Sequence, residues 1–312
     1  MLKTELAGVK LNNPTILASG IMGVSGASLS LIARNGAGAV TSKSISLEPR
    51  KGHPNPVILT YGQGMLNAVG LSNAGIKDSI PEMEYAVKNA GVPVIASLVE
   101  FKAENFGPLA KEISKANPAI IELNLSCPNV ESEFGKPFSH DPAAAEWATR
   151  AAKRNTRIPV FVKLSPNAPD LCEVARAVKT AGADGITAIN TAGPGMQIDI
   201  YARRPVLSNK CGGVSGPAIK PIAVKCIYDI YKETKLPIIG TGGVTTGADA
   251  VEFIMAGASA VGIGSGIYYR GLGIFSKVCK EIEEFMEKEG FSSIEDMRGI
   301  AHEQGTGGGA CQ

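Results

Sequence analysis

Short apolar runs alternate with longer amphipathic segments along the chain. Eight runs stand out: residues 15–20 (TILASG), 39–44 (AVTSKS), 93–99 (PVIASLV), 119–126 (AIIELNLS), 159–165 (PVFVKLS), 185–191 (GITAINT), 237–243 (PIIGTGG) and 260–266 (AVGIGSG). Each is too short for a helix, and as a set they are rich in Val and Ile, so each reads as a buried parallel strand. Helical patterns lie between most of them, over 105–116, 141–155, 170–181, 218–232 and 247–256. Asp141, followed by Pro142, and Asp170 mark helix starts, because an Asp side chain accepts the free amide hydrogens of a first turn. Three helix ends share one joint: Asn35-Gly-Ala-Gly, Ala181-Gly-Ala-Asp and Ala256-Gly-Ala-Ser. Each puts Gly just past the helix, where a left-handed residue is needed, and then enters a strand. The repeated unit predicts an α/β fold, a (β/α)8 TIM barrel rather than a doubly wound sheet.

Three stretches depart from the repeat. Residues 1–13 read as a short N-terminal β-hairpin that plugs the bottom of the barrel. Residues 45–75, rich in Gly, Pro and Asn, and residues 192–217 are too long for simple connections. Both follow strand C-terminal ends, so both are expected as insertions at the catalytic face of the barrel. A single barrel domain is expected over 1–302, with 303–312 (EQGTGGGACQ, counted from Glu303) as a disordered tail.

Composition narrows the class. The 312 residues suit one large α/β barrel, and 44% hydrophobic against 19% charged residues excludes a disordered or fibrous chain. A formal net charge of +2 implies no strong pull toward nucleic acid or membrane. The 37 glycines and few aromatics suit tight turns and close approach of backbone to a ligand. Six cysteines, at 127, 172, 211, 226, 279 and 311, form no CxxC pair and no zinc or iron–sulfur spacing, so no metal site is expected. The N-terminus lacks an apolar signal core, and no apolar stretch approaches the ~20 residues that span a bilayer. A cytoplasmic protein with reduced thiols is expected.

In a barrel the strand C-terminal ends face the site. Here they carry Ser19, Lys43, Asn124, Cys127, Lys163, Asn190, Gly242, Gly243, Gly264 and Ser265. The only carboxylate near this set is Glu122, inside the fourth strand, which weighs against metal-dependent enolase chemistry and paired-carboxylate glycoside hydrolysis. The glycine turns after strands seven and eight lie where many barrels bind phosphate; their plainer reading is tight turns alone. Cys127 sits in Asn124-Leu-Ser-Cys-Pro-Asn129. A cysteine is more often a small core residue than a catalyst, but a rigid, polar position at the mouth favours a nucleophile or general base. His53, His140 and His302 read as loop or surface residues, with His140 at a helix entry. Lys43 and Lys163 stand in runs otherwise free of charge, where each could stabilise a developing anion or merely snorkel. Asn67, Asn124, Asn129 and Asn190 both donate and accept, which suits an imide or pyrimidine ring. The loop 130–139, with Gly135 as a hinge, reads as a lid or a static cover.

With these residues in view, the sequence resembles the class 1 dihydroorotate dehydrogenases. The likeness rests on Thr41-Ser-Lys-Ser44, Gly64-Met-Leu-Asn-Ala-Val-Gly-Leu71, Glu122-Leu-Asn-Leu-Ser-Cys-Pro-Asn129, Val162-Lys-Leu-Ser-Pro-Asn167, Ile189-Asn-Thr191, Gly212-Gly-Val-Ser-Gly-Pro-Ala-Ile-Lys-Pro221 and Gly240-Thr-Gly-Gly-Val244. It runs in order from about residue 3 to 290. The resemblance implies oxidation of (S)-dihydroorotate to orotate in pyrimidine synthesis, with one FMN per chain. It implies Cys127 as the base at C5, with hydride passing from C6 to flavin N5. Lys43, Asn67, Ala68, Val69, Gly70, Leu71, Asn124, Asn190 and Thr191 would hold the substrate. Ser19, Lys43, Ser44, Asn124, Lys163, Ile189, Gly216, Gly242, Gly243, Gly264 and Ser265 would hold FMN, Lys163 neutralising the N1–O2 side of the reduced ring.

The chain departs from the family at Ser97, where many members carry Asn, and in Asn190-Thr-Ala-Gly-Pro-Gly-Met-Gln. Within class 1 the resemblance implies type B: a homodimer assembled with an electron-transfer subunit that carries FAD and a two-iron cluster and passes electrons to NAD. Type A, which uses fumarate, is the alternative acceptor reading. A dihydropyrimidine dehydrogenase-like enzyme acting on dihydrouracil or dihydrothymine is the nearest rival; Lys43 favours the anionic dihydroorotate. A non-redox barrel handling sugar phosphates, or a non-catalytic phosphate-binding protein, would explain the glycine turns but not Cys127 and its amides.

Overall fold

Eight parallel strands close on themselves in chain order: β1 (Thr15–Leu17), β2 (Ala39–Thr41), β3 (Val94–Leu98), β4 (Ile120–Asn124), β5 (Val160–Leu164), β6 (Gly185–Ala188), β7 (Ile238–Thr241) and β8 (Ala260–Ile263), with β8 pairing back to β1. The computed structural model describes residues 1–125 and 138–302. Each strand lies within one of the eight apolar runs, as expected for strands buried on both faces. The outer ring holds α1 (Gly26–Arg34), α2 (Ile76–Asn89), α3 (Phe106–Ile113), α4 (Pro142–Lys153), α5 (Leu171–Thr180), α6 (Lys220–Thr234), α7 (Gly247–Ala256) and α8 (Ile274–Glu289). Asp141 and Asp170 cap α4 and α5 as their position predicts, accepting from Ala143 and Ala144 N–H and from Glu173 N–H. The shared glycine joint is also real: Gly36, Gly182 and Gly257 have φ of +98°, +93° and +123°.

Two helices differ from the pattern for local reasons. α6 starts at Lys220 rather than 218, since a single 3-10 turn (Pro217–Ile219) precedes it, with the Ala218 N–H donating to Gln63 O. The segment 103–116 is α-helical only over α3 in its middle, with single 3-10 turns at Ala103–Asn105 and Ser114–Ala116, and it stops at Asn117, whose left-handed φ of +53° cannot continue a right-handed helix.

The larger surprise is in the insertions, where glycine-rich sequence reads as loop. Strands Ile58–Tyr61 and Gly64–Asn67 from the first insertion join Gly212–Ser215 and Ala192–Gly195 from the second in one four-stranded antiparallel sheet. The central pairing sets Asn67 opposite Gly213 and Met65 opposite Ser215. The partners are far apart in sequence, so no hairpin signal announces them. Residues 126–137 and 303–312, which include Cys127, Asn129, most of the expected lid and the expected tail, lie outside the described residues. Among the described residues no helix is long and apolar enough to cross a membrane.

The barrel interior is tiered. At the bottom, Ile16, Ala39, Ile95, Ile120, Phe161, Ile239 and Ala260 pack as one cluster with Leu6 and Leu11. Those leucines come from the paired strands Thr4–Leu6 and Val9–Leu11, so the N-terminal hairpin does plug the base. One tier higher the inward positions turn polar, with Ser97, Glu122 and Thr187 hydrogen-bonded to one another. Leu6 is fully buried. Leu6→Ala is therefore expected to destabilise the fold by roughly 2–5 kcal/mol through lost transfer energy and a cavity at the barrel base. Denaturant unfolding of the two proteins checks this; a change under ~0.5 kcal/mol would mean the hairpin is not sealing the core.

Candidate active site

The β7 edge builds a close-packed glycine turn. Gly242 and Gly243 have φ of +135° and +93°, a region that L side chains rarely adopt. A Cβ on Gly243 would lie 2.8 Å from Gly216 O, and one on Gly242 would lie 2.8 Å from Ala223 Cβ and 3.3 Å from Ile189 Cγ1. The turn thus draws together Gly216 from the second insertion, Ile189 from β6 and the start of α6. Asp249 fixes it from below: Thr245 N–H, Thr245 Oγ1 and Thr246 N–H all donate to Oδ2, and Lys220 Nζ reaches Oδ1 at 2.9 Å. Burial pushes this carboxyl up, but the Lys220 and threonine donors outweigh it and hold it down at about 2. Gly264 meets nothing closer than Ala18 Cβ at 3.6 Å, and Ser265 leads into the short helix Gly266–Arg270.

The floor of the mouth is a row of side chains from five different strands or their edges. Thr191 N–H donates to Asn190 Oδ1 at 2.8 Å, and Asn190 Nδ2 to Asn124 Oδ1 at 3.3 Å. Asn124 Nδ2 donates to Ser44 Oγ at 3.2 Å, and Ser44 meets Ser97 Oγ at 3.0 Å. Ser97 donates to Glu122 Oε1 at 3.0 Å and Thr187 to Oε2 at 2.9 Å. Ser19 Oγ donates to Ser42 O and lies 3.5 Å from Ser44. Asn67 Nδ2 reaches Gly213 O at 3.5 Å, and a Cβ on Gly213 would strike Thr191 Oγ1 at 2.1 Å, so Asn67 is tied to the same row through the insertion sheet.

Two lysines stand beside this row. Lys163 pairs in register with Asn124 on one side and Thr187 on the other. It is 5% exposed, and among the described residues its ammonium meets no carboxylate and no hydrogen-bond acceptor. A buried cation with no partner is costly, so the position favours an anionic or electron-rich ligand. Lys43, after β2, is half-buried and equally without a partner there, and burial lowers its pKa from 10.5.

The structure therefore brings Ser19, Ser44, Asn67, Asn124, Lys163, Asn190 and Thr191 into one connected floor, and Ile189, Gly216, Gly242 and Gly243 into one turn. It does not join Val69, Gly70 and Leu71 to that floor by any direct contact among the described residues. Their bonds run to the neighbouring segment: His53 N–H donates to Val69 O, Gly70 packs against His53, and Asn73 Nδ2 donates to Leu71 O. Ala68 is buried, with its N–H on Val57 O. The sequence reading missed Thr187 and Ser42, and it left Ser97 and Glu122 without roles. The signal was available: all but Ser42 are polar residues at inward-pointing strand positions. His302 is not a plain surface residue either; its ring stacks on Tyr228 at 3.8 Å and bonds Ala256 O.

Among the described cysteines, burial pushes Cys226 and Cys279 up to about 11 and raises Cys172 as well. Those thiols stay protonated near neutral pH and cannot act as bases there.

Comparison with known proteins follows this geometry closely. Residues 1–286 match the family model described as dihydroorotate dehydrogenase. The chain is 47% identical over 306 residues to the dihydroorotate dehydrogenase B (NAD(+)) catalytic subunit of Methanocaldococcus jannaschii, covering 97% of this chain and 99% of the relative. It is 43% identical to the protein of the same name from Pyrococcus furiosus, covering 96% and 98%. Among solved structures, DHODH in complex with ferulenol from Eimeria tenella superposes with a TM-score of 0.84 at 23% identity, over 96% of this chain and 88% of that one, a likeness of fold.

Lys43 would give an anion bound at the floor a pH-dependent affinity. An anion bound against it favours the ammonium form, so affinity holds while Lys43 is protonated and falls as pH rises through its pKa, which burial sets below 10.5. The Kd for orotate is expected to weaken along that alkaline limb, with the step absent in Lys43→Gln. A step of the same size in both proteins would remove Lys43 from the anion site.

Proposed function

The chain belongs to the dihydroorotate dehydrogenase family, and from that membership we propose that it oxidises (S)-dihydroorotate to orotate with FMN, as the catalytic subunit of a type B enzyme. One observation carries the reading beyond the family: Lys163, buried and without a partner among the described residues, stands in register beside Asn124, at the end of the amide row. A charge kept there without a partner among the described residues suits the electron-rich edge of a flavin, and the amides beside it suit a pyrimidine.

The residues present fit FMN. The left-handed turn at Gly242 and Gly243, closed by Gly216, leaves backbone where a side chain would collide, which suits a phosphate. Ser19, Ser44, Asn124, Lys163, Ile189, Gly216, Gly242, Gly243, Gly264 and Ser265 would hold the cofactor. When bound, FMN supplies the acceptor for a hydride from C6 of the substrate. The chain's own part is then positioning and proton removal. Lys43 pairs with the substrate carboxylate. Asn67, Asn124, Asn190 and Thr191 grip the ring's carbonyl and N–H groups, with the 68–71 segment closing one side. Cys127, three residues beyond the end of β4 in sequence, takes the C5 proton as thiolate.

The type B reading draws on relatives whose name, dihydroorotate dehydrogenase B (NAD(+)) catalytic subunit, itself points to a partner. That partner would carry FAD and the two-iron cluster and deliver electrons to NAD. Exposed Ile198, Ile200 and Tyr201, on the strand Ile198–Asp199 and the turn that joins it to Arg204–Pro205, give the insertion an apolar outer surface of the kind subunit contacts use. The match of residues 1–286 to one family model supports one FMN-binding domain over 1–302.

The direct test is an anaerobic absorbance spectrum of the purified protein before and after dihydroorotate. Bleaching of a yellow protein by dihydroorotate, and not by dihydrouracil, is expected; a colourless protein that FMN cannot reconstitute would end the reading. Cys127→Ser is expected to lower turnover by about 10²–10⁴-fold with FMN retained, because a serine hydroxyl ionises far less readily than a thiol and so supplies almost no anionic base near neutral pH. Cys226→Ser serves as the control and should turn over normally. Gly243→Ala should weaken FMN retention by roughly tenfold or more, since relieving the 2.8 Å contact with Gly216 O means shifting backbone. Flavin content after gel filtration reads that loss.

A further inference from the structure

The floor of the mouth is a hydrogen-bond chain with a forced direction. Its upper end is a backbone N–H, Thr191, which can only donate, and it donates to Asn190 Oδ1 at 2.8 Å. Its lower end is the Glu122 carboxylate, which as an ion can only accept. Between them stand four groups that can each work either way: the amides of Asn190 and Asn124 and the hydroxyls of Ser44 and Ser97.

Along this chain one arrangement satisfies both ends; Asn124 and Asn190 also make contacts outside it. Asn190 Oδ1 is taken by Thr191, so Nδ2 faces Asn124, which must present Oδ1 at 3.3 Å. Asn124 Nδ2 then faces Ser44 Oγ at 3.2 Å. From the other end, the Ser97 proton goes to Glu122 Oε1, so Ser97 accepts from Ser44 at 3.0 Å. The two deductions meet at Ser44, which accepts from Asn124 and donates to Ser97. Thr187 occupies the second carboxylate oxygen. Glu122 and Ser97 are 3% and 0% exposed, so the lower end of the chain is closed to bulk solvent.

We propose that Glu122, acting through Ser97 and Ser44, is a positioning residue that locks the Asn124 amide from the end of the chain opposite Thr191, and so holds the donor–acceptor pattern offered to the pyrimidine. This rests on the functional reading above, in which those two amides hold the substrate. A flipped amide exchanges its carbonyl for its NH2, so a ligand edge that matched one orientation opposes the other. Serine at position 97 is suited to the task. It is short enough to bridge Ser44 and Glu122, with one proton to give and lone pairs to receive.

The test is orotate binding to the oxidised FMN holoenzyme, followed by the perturbation of flavin absorbance, with no turnover involved. The unsubstituted protein is measured first. If it holds FMN yet does not bind orotate, the functional reading itself fails, and the inference with it. Ser97→Ala breaks the link to Glu122 and is expected to raise the orotate Kd by about tenfold to a hundredfold with FMN still bound. Ser97→Thr and Ser97→Val share a shape and differ by the hydroxyl. Thr should bind orotate at least tenfold more tightly than Val, which separates orientation from packing. Ser97→Ala binding orotate as tightly as the unsubstituted protein, or Thr and Val binding alike, would overturn the positioning role while leaving the functional reading intact.

Discussion

A carboxylate sealed inside a parallel barrel must be satisfied by its own neighbours, and Glu122 organises the site because of that need. Burying it unpaired would cost several kcal/mol. The barrel answers with hydroxyls from the two flanking directions, Ser97 from β3 and Thr187 from β6. Once those donors are committed, every polar side chain stacked above them inherits a direction. The apolar tier beneath, closed by Leu6 and Leu11, keeps water from entering at the base and competing for those bonds. The N-terminal hairpin therefore supports the site from the opposite end of the barrel.

Charge follows the same vertical order. Glu122 lies at the bottom of the polar tier, its oxygens engaged by neutral hydroxyls. Lys163 lies at its upper edge with no partner among the described residues, and Lys43 stands at the mouth with its basicity reduced by burial. A fold free to relax would pair these charges internally. Keeping the lysines apart from Glu122 leaves their positive potential directed at whatever occupies the mouth, where low dielectric makes each charge count for more than it would in water. Lys220 shows the contrast: it is spent on Asp249 and Glu252 and serves to hold the turn after β7 in place.

Much of this was legible in the sequence, and the limits have physical causes. The eight strands, the glycine joints and the caps at Asp141 and Asp170 are local features, written in residues a few positions apart. The candidate residues at strand ends followed from the alternation of inward and outward positions. The insertion sheet was not legible, because Asn67 meets Gly213 only after the barrel has closed and brought the ends of β2 and β6 together. Ser97 was visible as a departure from the family pattern, but its partners come from the two neighbouring strands, Ser42 and Ser44 after β2 and Glu122 in β4, and no spacing in one dimension announces them. Cys127, the residue with the clearest sequence signature, lies outside the described residues, so its role rests on the sequence and on family membership.

The insertion sheet also explains why a glycine-rich segment lies beside the amide row. Gly213 is where the second insertion crosses Thr191, and any side chain there would collide with the Thr191 hydroxyl at 2.1 Å. Gly212 is equally confined, since a Cβ would lie 2.4 Å from Asn67 O. These two glycines let the strand from one insertion press against both the strand of the other and the end of β6. The result is that Asn67, brought in by a segment with no sequence proximity to β6, sits within reach of Asn190 and Thr191 through a single strand. A bulkier residue at either position would push the sheet outward and take Asn67 with it, while the barrel beneath, whose pairing does not involve the insertions, would keep its form.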